Sequence, residues 1–256
     1  MAGGNGAMAM TPHVLIVAGS DSSGGAGIAR DVETVSAFGL RSCLAVTAVT
    51  VQTHAAVERI EQMPPELIAA QMHAAFTANT VAAVKIGMLG TAAAIQAVGS
   101  VLASNRQVPV VLDPVLASTS GRILLADDAI NALHRDLMPV SRVVTPNLIE
   151  LARLNGSDLA PDEERARLQG EELSAAVRTA VLVKGGHAQD SQSIDILVQP
   201  NRSAVRFEAP RLAEGMRGTG CMLSSAVAAS LALGASLEAS VRSAKQYVFN
   251  ALARSA

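Results

Sequence analysis

The chain has 256 residues, half of them hydrophobic and only 2 % aromatic, with 20 Lys and Arg set against 22 Asp and Glu for a formal net charge of −2. That length buries a substantial core, here built from Ala, Val, Leu, Ile and Met. The near-neutral balance gives no electrostatic case for nucleic acid or an anionic membrane surface, and no apolar run approaches the roughly eighteen residues of a membrane span.

The opening stretch MAGGNGAMAMTPH lacks a basic region followed by an apolar one. It reads as a disordered lead-in over 1–12 and not as a signal peptide. Cys43 and Cys221, the two cysteines, form neither a CxxC pair nor a disulfide framework, which fits a reducing cytoplasm. Strands are expected at 13–18, 43–51, 81–86, 108–113, 142–145 and 180–184. Several of these are apolar at every position, as in a parallel sheet buried on both faces. Helices are expected between them near 25–38, 65–77, 91–103, 127–138, 147–154 and 162–178. A hairpin at 194–198 and 204–209 follows, turning at Gln199, Pro200 and Asn201. Two long helices, near 219–233 and 237–253, finish the chain. This alternation predicts a single α/β domain over 13–256, with helices on both faces of a mostly parallel sheet. The charged stretch at 157–173 reads as a solvated helix and its approach.

Polar, Gly and Pro residues gather just after strand after strand: GSDSSGGAG, Gln52-Thr53-His54, GMLG, DPV, TPN and KGGH. Ligands of open α/β sheets sit outside the carboxyl ends of the strands, so these stretches point to one ligand-lined edge. No GxxxxGK[ST] occurs, and GGAGIA lacks the third glycine of a dinucleotide fingerprint. Gly218-Thr219-Gly220-Cys221 leads into an apolar run, so its N–H groups are expected to form the free first turn of a buried helix, where an anion binds. A thiol at such a terminus is expected to have a lowered pKa and to act as base or nucleophile; the alternative is a small core residue. Lys184 ends a buried strand and needs an anionic partner, either phosphate or a structural carboxylate. Asp113 and Glu150 are acidic groups at the same edge, suited to holding magnesium through water or to structural pairing. Asp21 and Asp31 flank the first glycine-rich loop and are candidate helix caps. The five histidines show no metal-ligand spacing.

AGSDSSGGAGIARD, TAVTVQT, KIGML, VVLDPV, TPNLIEL, VLVKGGH and GTGC, in that order, resemble the hydroxymethylpyrimidine/phosphomethylpyrimidine kinases of thiamine biosynthesis, members of the ribokinase-like superfamily. The resemblance spans roughly 13–253. It implies a three-layer ribokinase-like sandwich with about eight strands. It also implies transfer of the γ-phosphate of MgATP to 4-amino-5-hydroxymethyl-2-methylpyrimidine and then to its monophosphate. By resemblance Gln52 and Asp31 would hydrogen-bond the aminopyrimidine, with Gly19, Met88 and Val115 on the pocket wall. Cys221 would be the base and the amides of 218–221 the anion hole. Lys184 would neutralise the transferring phosphates, while Asp113, Asn147 and Glu150 would organise magnesium and phosphate. A cytoplasmic homodimer is expected.

The chain departs from the family pattern in three places. HGTGCT is RGTGCM here, bringing Arg217 and Met222 to the anion hole; QNT is QTH; and the family's frequent glycine-rich tail is missing. Two other readings compete with this one. A pyridoxal kinase shares the Gly-Thr-Gly-Cys turn, and a non-catalytic pyrimidine-binding regulator would bind without turnover.

Overall fold

The computed structural model describes residues 11–118, 121–185, 192–212 and 216–255; most of the expected lead-in, and Gly186 and His187 of the KGGH stretch, lie outside the described residues. Nine strands form one sheet: β1 His13–Asp21, β2 Arg41–Gln52, β3 Val57–Gln62, β4 Val81–Ile86, β5 Val110–Leu112, β6 Val143–Val144, β7 Ala180–Lys184, β8 Gln192–Val198 and β9 Val205–Pro210. Their order is β3-β2-β1-β4-β5-β6-β7-β8-β9. The run from β2 to β7 is parallel. Antiparallel β3 closes one edge and the β8–β9 hairpin the other.

Each parallel step needs a crossover, and helices supply them. These are α1 Gly27–Ala37, α2 Pro65–Ala78, α3 Ala92–Ala103, α4 Asp127–Ala132, α5 Leu148–Asn155 and α6 Glu163–Val177; α7 Thr219–Ala232 and α8 Leu237–Ala253 end the chain. Alternation along β1 assigns the layers. Leu15 and Val17 pack with Ile68, Ile95, Leu151 and Leu173, so α2, α3, α5 and α6 cover one face. Val14, Ile16 and Ala18 pack with Val35, Val227 and Val241, so α1, α7 and α8 cover the other.

Connections leave β1 and β4, which are neighbours, in opposite directions along the sheet. The crevice therefore opens at their carboxyl ends. One strand, β3, goes beyond the expected set; VERIEQ is short and largely exposed, as suits an edge. The helix expected over 127–138 is α only to Ala132. It continues as a π turn over Leu133–Leu137 and a 3-10 turn over Met138–Val140. Pro139 cannot donate an α-helical bond, and at Gly99 α3 packs so closely that a Cβ would lie 2.8 Å from the Asp136 carbonyl oxygen.

Candidate active site

The end of β2 carries Gln52, half-buried, with its backbone pinned to the loop after β1. Ser22 Oγ donates to the Gln52 carbonyl and accepts from its N–H, both at 2.8 Å. Thr50 Oγ1 also donates to Gln52 Oε1 at 3.2 Å. Gly19 ends the apolar part of β1 and faces Met88, whose sulfur would lie 3.3 Å from a Cβ at position 19. Val115 follows β5, half-buried. These four positions stand at the same carboxyl edge.

Asp31 does not join them. It is fully buried, its Oδ2 accepting from Lys85 Nζ at 2.7 Å and its Oδ1 from Ser225 Oγ at 2.8 Å. Each carboxylate oxygen thus already holds a donor from the protein, so its placement in this structure is that of a buried structural partner of Lys85 and Ser225. Burial raises the Asp31 pKa despite the lysine. Burial alone would lower Lys85, but the attraction of Asp31, Cys221 and Asp113 outweighs it and raises it. The two groups sit as a salt bridge, Nζ 2.7 Å from Oδ2. Lys85 escaped the sequence reading because it sits in VAAVKI, an otherwise apolar strand; a lysine inside a strand buried on both faces was the available signal.

Neither acidic residue caps α1, whose N-cap is Ala26. Asp21 instead closes a turn, its Oδ1 accepting from the Ser23 N–H and hydroxyl at 2.9 and 2.7 Å.

The Gly-Thr-Gly-Cys turn opens α7 as expected. Gly218 is the N-cap with φ +76°, and a Cβ there would lie 2.5 Å from the Gly25 carbonyl oxygen, so only glycine fits. The first i to i−4 bond runs from Met222 N–H to Gly218. The amides of Thr219, Gly220 and Cys221 are thus left without intrahelical partners. Met222 faces the core, 2 % exposed, and not the anion hole.

Beside this helix end stands a charged group. Lys184 Nζ donates to Asp113 Oδ1 at 2.7 Å and lies 4.0 Å from Glu150 Oε2. A Cβ on Gly220 would be 3.3 Å from Lys184 Nζ and 3.8 Å from Asp113 Oδ2, so the α7 terminus abuts the pair directly. Thr145 and Ser224 donate to the two Asp113 oxygens at 3.2 and 3.3 Å. Burial would raise Asp113, but Lys184 and Lys85 outweigh it and hold it low. Burial pushes Glu150 up to about 7 against the pull of Lys184. Asn147 and Glu150 form a capping box on α5, each side chain accepting the other's backbone N–H at 2.8 Å. The Asn147 carboxamide oxygen is therefore engaged in the cap. The strand end holding Lys184 is fixed by Gly185 N–H donating to Asp195 at 3.0 Å, itself paired with Lys245 at 2.7 Å.

The Cys221 thiol is the clearest departure from expectation. Its pKa is not lowered; burial pushes it up to about 11. The Lys85 charge and the Gly27 backbone amide pull it down, yet Asp31 and Asp113 push with the burial. Cys43, half-buried on β2, is likewise pushed up to about 11 by burial. The helix terminus is where the sequence placed it, but desolvation is the largest influence on the thiol and outweighs Lys85 and the Gly27 amide.

No group of three or more potential metal ligands occurs among the described residues. Asp113 and Glu150 offer hard oxygens, but Lys184 already occupies one Asp113 oxygen. The pair fits a magnesium ion held mostly by water and phosphate oxygens, and does not fit an all-protein cage. A cleft of about 770 Å³ lined by Arg178, Gln199 and Arg202 lies at the opposite sheet edge and contains none of these residues. No helix among the described residues is long and apolar enough to cross a membrane.

Comparison with known proteins locates the chain. The family model described as phosphomethylpyrimidine kinase matches residues 21–256. A hydroxymethylpyrimidine/phosphomethylpyrimidine kinase of Rhizobium meliloti is 41 % identical over 244 residues, covering 95 % of this chain and 91 % of the relative. The crystal structure of phosphomethylpyrimidine kinase from Clostridium difficile superposes with a TM-score of 0.81 at 34 % identity, over 94 % of this chain and 99 % of that one. Pyridoxal kinase from Staphylococcus aureus, in complex with AMP-PCP, gives a TM-score of 0.86 at 28 % identity, over 94 % and 88 %.

Proposed function

The chain belongs to the phosphomethylpyrimidine kinase family, and from that premise we propose how its residues carry the γ-phosphate of ATP to a hydroxymethylpyrimidine and then to the monophosphate. The observation that carries the reading is the abutment of the Gly218–Cys221 turn on the Lys184–Asp113 pair. Free amides and a fixed ammonium face one space, and phosphoryl transfer asks for just such positioning and charge neutralisation.

Gln52 would read the ring, its backbone locked by Ser22 so that the carboxamide is presented without loss of further freedom. Gly19, Met88 and Val115 would wall the ring. The amides of Thr219, Gly220 and Cys221 would receive the developing negative charge, with Gly218 setting their direction. Lys184 would exchange part of its hold on Asp113 for phosphate oxygens. Asp113 and Glu150 would hold magnesium through water, with the Asn147 amide beside them; the metal would supply neutralisation of the nucleotide's phosphates. Cys221 is a thiol in this structure. To serve as base it would first release that proton to solvent as the positive charge of bound metal and Lys184 favours the thiolate, which would then take the hydroxymethyl proton as the oxygen attacks phosphorus.

The proposal extends to a single domain over 13–256 working in the cytoplasm as a homodimer. Leu44, Val49 and Val51, exposed on β2, support an apolar contact between copies. Incubating the chain with MgATP and the free hydroxymethylpyrimidine, then weighing products by mass spectrometry, tests the function. Mono- and diphosphate are expected. Phosphorylation of pyridoxal alone would move the reading to its neighbour, and binding without ADP release to the regulator.

A further inference from the structure

Arg217, the residue before the anion-hole turn, reaches across the mouth of the site. Its Nη1 donates to Ser23 Oγ at 3.1 Å and to the Thr53 carbonyl at 3.2 Å, and lies 3.3 Å from His54 Nδ1. Its Nη2 donates to Asp21 Oδ2 at 3.2 Å. Three segments thus converge on one guanidinium: the loop after β1, the residues just after Gln52, and the lead-in to α7. Arg217 and His54, two of the positions at which the sequence departs from its family pattern, touch one another.

The quality of these contacts matters. None is shorter than 3.1 Å, and the carboxylate is engaged through one oxygen only, whereas a guanidinium favours two parallel bonds at about 2.7–2.9 Å. About a fifth of the side chain is exposed. It is a cation held loosely, at the rim between the ring-reading residue and the anion hole. The other cations described above are differently placed: Lys85 is fully buried against Asp31, and Lys184 lies deep against Asp113.

The chemistry of two successive transfers creates a need that this cation meets. In the second, the acceptor oxygen belongs to a phosphate already on the substrate. The ring must therefore sit one phosphoryl group farther from the helix terminus, toward the rim, and close to two negative charges must be neutralised there. We propose that Arg217 is the acceptor-phosphate residue: it releases the single Asp21 oxygen and takes the phosphate of the pyrimidine monophosphate in bidentate fashion. The inference rests on the function proposed above. Asp21, whose other oxygen keeps its bonds with Ser23, holds the loop closed while the arginine is away.

Three variants and two substrates test it. Arg217→Ala should raise the KM and the calorimetric Kd for the monophosphate by at least tenfold more than it raises those for the free pyrimidine, and Arg217→Lys should restore part of that difference. Asp21→Asn, which removes the competing carboxylate and keeps the arginine, should leave the monophosphate Kd unchanged or tighter. Equal losses on both substrates in Arg217→Ala, reproduced by Asp21→Asn, would make Arg217 a latch between loops and overturn the proposal. No loss on either substrate would overturn it as well. A parent chain that phosphorylates neither pyrimidine refutes the functional reading itself, a result separate from any of these.

Discussion

Replacing Lys85 with Met tests the least visible part of the site. The ammonium and the Asp31 carboxylate are both fully buried and 2.7 Å apart. Methionine keeps an unbranched side chain only one heavy atom shorter, but it leaves Asp31 with Ser225 as its remaining hydrogen-bond donor. Breaking a buried pair on one side costs about 3–5 kcal/mol, a large share of the roughly 5–15 kcal/mol that holds a domain together. Urea denaturation followed by circular dichroism measures it. The pH dependence carries a second signature. Without the lysine, the folded-state pKa of Asp31 rises further above its unfolded value of about 3.9. The carboxyl's contribution is then complete below about pH 3.9 and is lost as pH climbs through the folded value. The deficit of the variant should therefore be smallest in acid and widen toward neutrality. Adding Asp31→Asn should recover at least half of it, because the amide needs no counter-charge. A loss below about 1 kcal/mol with no pH dependence would refute the claim that these are two charges held in a dry interior.

Gln52→Ala should weaken pyrimidine binding by roughly tenfold to a hundredfold, the cost of about 1–3 kcal/mol for a lost polar partner, while nucleotide affinity stays near that of the parent; equal losses by calorimetry would count against ring reading. Lys184→Ala should cut turnover far more than pyrimidine affinity, since the charge it meets grows during transfer; an unchanged kcat with only a raised KM for ATP would leave it a binding group. With both thiols pushed up to about 11, alkylation of Cys221 in the empty enzyme should climb about tenfold per pH unit from 7 to 10 with no advantage over Cys43 arising from a lowered pKa; a plateau by pH 9 would show that the helix terminus governs the thiol after all. Cys221→Ala should fold and bind the pyrimidine but lose about 10²–10⁴-fold in rate, and near-normal phosphorylation would remove it from the base role.

Local pattern was enough for most of the architecture. Short apolar runs such as VLIVA and AVLV, bounded by Gly and polar residues, read as strands buried on both faces, and the Gly, Pro and polar residues after them mark one sheet edge. The Gly218–Cys221 turn was legible for the same reason: two glycines before an apolar run describe a helix start whose amides are bare. VERIEQ was not legible as β3, because a short charged edge strand looks like loop until a partner pairs with it. Nor was the break after Ala132, where close packing at Gly99 and the missing donor of Pro139 meet. What the sequence could not hold is distance between residues far apart in the chain. Asp31 and Lys85, 54 positions apart, become an ion pair only once α1 packs on β1 and β4 pairs beside that strand. Arg217 finds Asp21 and His54 only when three loops converge. The thiol shows the consequence most plainly: a helix terminus, which sequence reveals, argues for a lowered pKa, while burial beside Asp31 and Asp113, which only the tertiary structure creates, raises it to about 11. A helix terminus follows from local order along the chain, but desolvation depends on everything the fold brings around a group, and for this thiol desolvation outweighs the pull of Lys85 and of the Gly27 amide.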